Sequence, residues 1–199
     1  MANRSMSARR PLVIADAFCG AGGSSEGMRR AFTARGVPAQ LIAINHWPTA
    51  ITTHTANHPD AVHHCVDLTK TRLGELVPNG RVDAIWLSPS CTTFSYAQGG
   101  KSIDDQMRAG AWVTTACAEL YQPKLIIVEN VPPFVSWGPL DGRGRPIKSR
   151  RGDTFRAWLA SIESIGFRYD RHVCPDHKRP MAGEQALPFN GEASPFGLS

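Results

Sequence analysis

The feature that most constrains this chain is an alternation. Leu12-Val13-Ile14-Ala15, Leu41 to Ile44, Val82 to Leu87 and Lys124 to Val128 read as strands, with Val62 to Val66 as a candidate short one between them. Between them lie stretches of helical spacing: Met28, Ala31 and Phe32 after the first run, Thr49 to Asn57 after the second, and Ile103 to Tyr121 before the fifth. Unbroken apolar runs mark strands covered on both faces, and a strand–helix–strand succession with short connections builds a parallel sheet. The expected class is α/β, a mostly parallel sheet with helices on both faces. In such sheets ligands sit beyond the carboxyl ends of the strands. The residues to inspect are therefore Asp16 to Gly23, Asn45, Asp67, Pro89 to Cys91, and Glu129-Asn130.

Beyond Pro133 the pattern changes. Trp137 to Arg151 is rich in glycine and proline and carries Arg143, Arg145, Lys148, Arg150 and Arg151, with no acid after Asp141. Asp153 to Ile165 reads as a helix through Phe155, Trp158, Leu159 and Ile162, and Phe167 to Val173 as a sixth strand. The expected organisation is a flexible N-terminus over 1–10, one domain over 11–174 and an irregular or disordered tail over 175–199.

Composition narrows the function classes. Charged residues are 20% and the apolar set 42%, which excludes wholesale disorder. No apolar run approaches the ~20 residues of a bilayer-spanning helix, and the N-terminus lacks a secretory signal pattern. Five cysteines with no CxxC pair argue against a disulfide framework and for a reducing, cytoplasmic setting. Lys+Arg 22 against Asp+Glu 17 leaves a net charge of +5, which suits a polyanion partner.

The segment Asp16-Ala17-Phe18-Cys19-Gly20-Ala21-Gly22-Gly23 joins the first strand to the first helix. Glycines there let the backbone approach a ligand, and a helix N-terminus favours negative groups. The nicotinamide fingerprint G-x-G-x-x-G fits badly, because Ser25 holds the third glycine's place. Gly99-Gly100-Lys101-Ser102 ends like a P-loop, but Ser95 stands where the first glycine is required. The plain alternative for the first loop is a tight turn with no ligand.

Five segments in order carry a resemblance. Asp16 to Gly23 followed by Gly27, then Asn45-His46-Trp47-Pro48 with Ala50, Asn57 and Pro59, then Asp67-Leu68-Thr69 resemble the first three motifs of the DNA (cytosine-5) methyltransferases. Ser88-Pro89-Ser90-Cys91-Thr92-Thr93-Phe94-Ser95 is similar to that family's nucleophile loop, and Glu129-Asn130-Val131 to its glutamate motif. The likeness runs from about residue 12 to 170 and implies a Rossmann-like, S-adenosylmethionine-dependent methyltransferase fold. By the same resemblance Cys91 is the nucleophile that adds to carbon 6 of cytosine, and Glu129 the acid near ring nitrogen 3. Carbon 5 is a poor nucleophile until that addition, and the base must leave the duplex to meet both groups. Phe18, Gly20, Gly22, Gly23, Asn45, His46, Asp67, Leu68 and Pro89 are then expected at the cofactor, with Asp67 accepting from the adenine amino group. His46 or Trp47 is expected against the adenine, unless Trp47 is simply a buried aromatic. Ser95, Asn130, Arg143 and Arg145 are expected at the substrate, double-stranded DNA.

The chain also departs from the family. Asn45 stands where an acid is usual, so the ribose would meet an amide without charge. Ser90 replaces a proline, and Thr92 a glutamine. The His172 to Pro180 stretch does not match the expected arginine motif, so the fold is expected to be incomplete at its C-terminus, with the target-recognition domain absent. A second polypeptide could carry that domain; otherwise a monomer is expected. His54, His58, His63 and His64 are expected to form a polar surface rather than a metal site, and no metal is expected. Cys19, Cys65, Cys117 and Cys174 are expected to be inert core residues. Three readings stand: a bacterial or phage-encoded DNA cytosine-5 methyltransferase, of the kind found in restriction-modification, a catalytically inactive remnant, and an RNA methyltransferase of the same family.

Overall fold

The computed structural model describes residues 10–89 and 110–172. Residues 1–168 and 169–199 form separate units, and the account below concerns the first.

Five parallel strands are ordered β3-β2-β1-β4-β5: β1 (Leu12–Ala17), β2 (Ala39–Asn45), β3 (Val62–Cys65), β4 (Ala84–Leu87) and β5 (Leu125–Val128). The chain builds outward from β1 to β3, then returns to lay β4 on the other side of β1. That reversal makes the carboxyl ends of β1 and β4 the topological switch point, where parallel sheets open a crevice. Ala17 pairs with both Ile44 and Leu87, and Leu87 pairs with Val128, so four strands finish level.

Side chains of β1 alternate between two buried faces. Val13, Ala15 and Ala17 join Ile42, Ile44, Ile85 and Leu87 in one core, covered by α3 (Val113–Tyr121) through Val113, Cys117 and Tyr121. Ile14 turns to the other face, where α1 (Gly23–Thr33) covers it with Met28 and Phe32. Proline at its first helical position opens α2 (Pro48–Asn57), where a missing N–H costs nothing. Helices thus lie on both faces, as the unbroken apolar strands imply.

A second core is aromatic. Phe134, Trp137, Phe155 and Trp158 pack with Ala111 and Ile162, joining α4 (Asp153–Ser164) to the 3-10 turns at Gly110–Trp112 and Pro132–Ser136. Residues 167–172 form no strand, contrary to expectation, and Val173 lies outside the described residues. Beyond Phe167 this stretch is mostly charged and exposed, so it has no apolar face to bury against a sheet. The expected helix over Ile103 to Tyr121 is observed from Val113; residues 103–109 lie outside the described residues.

Candidate functional site

The glycine loop leaves β1 in an unusual backbone conformation. Phe18 has φ 67, Gly20 φ 53 and Gly22 φ 101. A left-handed Phe costs on the order of 1 kcal/mol or more, so its surroundings must hold it there. The Cys19 N–H donates to the Ile44 carbonyl at 3.1 Å and the Gly22 N–H to the Cys19 carbonyl at 3.0 Å, which fold the loop back over the strand ends. A Cβ at Gly20 or Gly23 would meet nothing within 4 Å, leaving open space above the backbone.

Beside the loop, Phe18, Ile44, Asn45, His46, Val66 and Leu68 line a shallow recess. Four of these, Phe18, Asn45, His46 and Leu68, are residues singled out in the sequence. Its lining combines an aromatic ring, aliphatic side chains, an amide and an imidazole around a crease with no room for a water molecule. The Asn45 Oδ1 accepts from the Trp47 N–H at 3.0 Å, which leaves its Nδ2 as the group able to donate. Trp47 is 58% exposed, so it is not a buried aromatic after the strand. Asp67 accepts from the Thr69 hydroxyl (2.7 Å) and Thr69 N–H (2.9 Å), with Lys70 at 3.3 Å. The Thr69 hydroxyl is the main reason its carboxyl lies below the usual range, so it stands ionised at the rim.

Across the switch point, the ends of β4 and β5 are tied together. The Glu129 N–H donates to the Leu87 carbonyl at 2.9 Å. The Asn130 amide donates to the Pro89 carbonyl at 3.1 Å, while its Oδ1 accepts from the Val131 N–H at 2.9 Å. Glu129 is exposed at this edge. Ser90, Cys91 and Ser95 lie outside the described residues. A Cβ at Gly110 would stand 3.4 Å from the Pro89 Cβ, so the chain leaves at Pro89 and returns beside it. The return is fixed by the Trp158 indole, which donates to the Ala111 carbonyl at 2.9 Å.

Below the glycine loop lies a buried polar chain. Asp16 accepts from the Ser24 hydroxyl at 2.6 Å and from the Ser25 hydroxyl. Ser25 Oγ meets His54 Nε2 at 2.9 Å, and His54 Nδ1 meets His63 Nε2 at 2.9 Å. His58 Nε2 lies 3.0 Å from the Gly22 carbonyl. Burial raises the Asp16 carboxyl, opposed by the two serine hydroxyls, and burial drives the His54 imidazole down to about 4. His54 and His58 are 0% and 3% exposed, which corrects the expectation of a polar histidine surface. The helix turns both rings inward, their centroids 4.7 Å apart, onto the space a third glycine would have left to Ser25. The signals for this were the i, i+4 histidine spacing and the serine in the fingerprint's glycine slot.

Burial pushes the Cys19 and Cys117 thiols up to about 12, so both stay protonated, whereas Cys65 is exposed rather than in the core. Cys174 lies outside the described residues. No group of three or more metal-ligating side chains occurs among the described residues. No helix among them is long and apolar enough to cross a membrane.

The basic segment is a tight turn closed by Asp141. Its Oδ1 accepts from the Arg143 and Arg145 N–H groups, each at 2.9 Å, and its Oδ2 lies 3.2 Å from the Arg145 guanidinium. These backbone donors, Arg145 first, hold the Asp141 carboxyl below its usual range. Arg150 and Arg156 flank Asp153 at 3.0 and 2.6 Å. Arg143 and Arg145 are exposed, with the Arg145 charge partly engaged by Asp141.

Comparison with known proteins identifies the family. The family model for C-5 cytosine-specific DNA methylase matches residues 12–176. Type II methyltransferase M.AgeI of Thalassovita gelatinovora is 38% identical over 178 residues, covering 82% of this chain and 37% of that protein. DNA (cytosine-5)-methyltransferase 4 of Arabidopsis thaliana is 25% identical over 80% of this chain and 12% of its own length. The chain thus spans little more than a third of the first relative and an eighth of the second. Among solved structures, one described as an E. coli DNA modification methyltransferase encoded within a prophage aligns with a TM-score of 0.55. That match has 21% identity and covers 78% of this chain and 37% of the other. A DNMT2 mutant of Spodoptera frugiperda aligns at TM-score 0.52 and 17% identity over 77% of this chain and 41% of its own. At those identities the likeness establishes the fold.

Proposed function

Because the chain belongs to the C-5 cytosine-specific DNA methylase family, we propose that it carries the cofactor and nucleophile part of a DNA cytosine-5 methyltransferase. In this reading S-adenosylmethionine supplies an electrophilic methyl group, and the chain's residues prepare the acceptor. The recess beside Phe18 suits the adenosine: Leu68 and Val66 offer apolar contact, the Asn45 amide faces the ribose hydroxyls and the Asp67 carboxylate can accept from the adenine amino group. Gly20, Gly22 and Gly23 pass close to the methionine end, with Pro89 opposite.

The Cys91 thiolate adds to carbon 6 of a cytosine turned out of double-stranded DNA, and Glu129 protonates or hydrogen-bonds nitrogen 3 as electrons shift into the ring. Carbon 5 then takes the methyl group. Loss of the carbon 5 proton and expulsion of the thiolate restore the aromatic ring and free Cys91. Asn130 holds the start of the nucleophile segment, while Ser95, Arg143 and Arg145 face the DNA, the arginines at its phosphates. This reading assigns target readout to no residue of this chain and leaves it open to a second polypeptide. The type II relative makes a modification role in a bacterial cytoplasm the natural setting.

The observation that carries this reading is the Asn130–Pro89 bond at 3.1 Å, because it ties the residue after Glu129 to the residue two before Cys91. The test is methyl transfer from labelled S-adenosylmethionine to cytosine-containing duplexes, with covalent trapping on 5-fluorocytosine DNA. Transfer lost in Cys91→Ser supports it. Neither transfer nor trapping would sink turnover by this chain alone and leave the non-catalytic reading. Transfer to RNA but not DNA would change the substrate.

A further inference from the structure

We propose that His58 is a positioning residue that sets the shape of the cofactor loop from below, through its hydrogen bond to the Gly22 carbonyl, with the His54 ring packed beside it. The inference rests on reading Phe18 to Gly23 as the S-adenosylmethionine loop.

Proton bookkeeping fixes the direction. The Gly22 carbonyl can only accept, so the His58 Nε2 3.0 Å away carries the ring proton. His58 Nδ1 is buried with no hydrogen-bond partner. A bare lone pair there is tolerable, whereas a second N–H would be a buried donor with nothing to meet. Separately, an ionised Asp16 accepts the Ser25 hydroxyl proton, and Ser25 Oγ then accepts from His54 Nε2. His54 Nδ1 is then an acceptor, and His63 Nε2 donates to it at 2.9 Å. With Asp16 ionised the protons of this chain run from His63 to Asp16, and with Asp16 protonated they run the other way, so its contacts are satisfied in either state.

Steric fit makes the same connection. A Cβ at Gly22 would stand 2.5 Å from His58 Cδ2, 2.6 Å from its Nε2 and 3.1 Å from His54 Cδ2. The loop lies directly on the two rings. The Gly22 carbonyl also accepts the Glu26 N–H at 2.9 Å, which begins α1, so His58 shares the atom that turns loop into helix. The chain spans β1, α1, α2 and β3, and none of its histidines lines the recess beside Phe18. They act through the loop, not on the ligand.

A purely space-filling role predicts that any side chain of similar size will serve. A positioning role requires the N–H. The test is S-adenosylhomocysteine binding by calorimetry on the full chain, in His58→Phe, which keeps a ring without a donor, and His58→Gln, whose Nε2 can donate to Gly22. Binding about tenfold weaker in His58→Phe and within about threefold of wild type in His58→Gln is expected, the scale of one lost hydrogen bond. Hydrogen exchange at the Gly22 and Glu26 amides accelerates in the first and not in the second, while β1 amides stay protected. In methyl transfer, KM for the cofactor rises while kcat changes less. Should His58→Phe fail to fold, His58→Asn, polar but too short to reach Gly22, takes its place. Equal binding and equal exchange in the donor-bearing and donor-less variants would overturn the proposal. If wild type binds no S-adenosylhomocysteine, the cofactor reading fails, and the exchange comparison alone decides whether His58 shapes the loop.

Discussion

Asn130 and Pro89, 41 residues apart in sequence, are joined by a 3.1 Å hydrogen bond from a side-chain amide to a backbone carbonyl across the ends of β5 and β4. The same Asn130 side chain accepts from the Val131 N–H, so each of its polar atoms makes one bond to backbone. This makes Asn130 a brace between the two strand ends. Asn130→Asp loses the donor and sets a carboxylate against the Pro89 carbonyl. We expect about 1–2 kcal/mol of lost stability in urea and a methyl-transfer kcat down by about a hundredfold. An activity loss no larger than the stability loss accounts for would remove Asn130 from the proposed mechanism.

The two glycines of the loop separate conformation from contact. Gly22→Ala meets both a left-handed backbone, φ 101, and the His58 ring, and should cost about 3 kcal/mol or more. Gly20→Ala has φ 53 and open space, so about 1 kcal/mol is expected. A methyl in that space should nonetheless weaken S-adenosylhomocysteine binding. Thermal unfolding and calorimetry on both variants check this. Equal destabilisation would mean that the imidazoles do not wall the loop.

Much of this arrangement is legible in the sequence, for one physical reason. Strands covered by helices are mostly apolar, so β1, β2, β4 and β5 announce themselves even with Asp16 inside β1, and residues at their ends fall on one edge. Polar residues give no such signal. His54 looks the same whether a helix turns it to solvent or inward; only the pairing of Ser25 with Asp16 decides. Asn130 reads as a substrate residue because its partner, Pro89, is remote. The stretch after Phe167 has strand-like alternation of size but lacks an apolar face, and forms no strand.

Cysteine chemistry offers a direct check. Cys65 is exposed, whereas burial holds the Cys19 and Cys117 thiols at about 12. Iodoacetamide on the native chain at pH 8 should label Cys65 readily, and Cys19 and Cys117 only after denaturation. Peptide mass spectrometry reads the sites. If Cys91 is an activated nucleophile, it labels fastest, and S-adenosylhomocysteine with 5-fluorocytosine DNA protects it. Labelling of native Cys19 would show the glycine loop opening.

The buried histidines should give the fold an acid-side weakness. His54 has its imidazole lowered from the ordinary 6.5 to about 4, and burial lowers His63 in the same direction. A base whose folded pKa is depressed binds protons more readily when unfolded, so its neutral form contributes fully above pH 6.5. That contribution is lost as pH falls from 6.5 toward 4. For His54 it amounts to about 3 kcal/mol at most. Asp16, raised by burial, runs the opposite way: its contribution is complete below 3.8 and lost as pH rises, which blunts the slope at the acid end. His58 and His64 face the same cluster, and Asp60 lies near enough to His63 to favour its charge. The expected sum is a urea midpoint that climbs between pH 4.5 and 7. His54→Gln, which can still donate to Ser25 but cannot titrate, should flatten that climb by about 2 kcal/mol. Parallel curves for the two proteins would show that His54 is not held neutral by the fold.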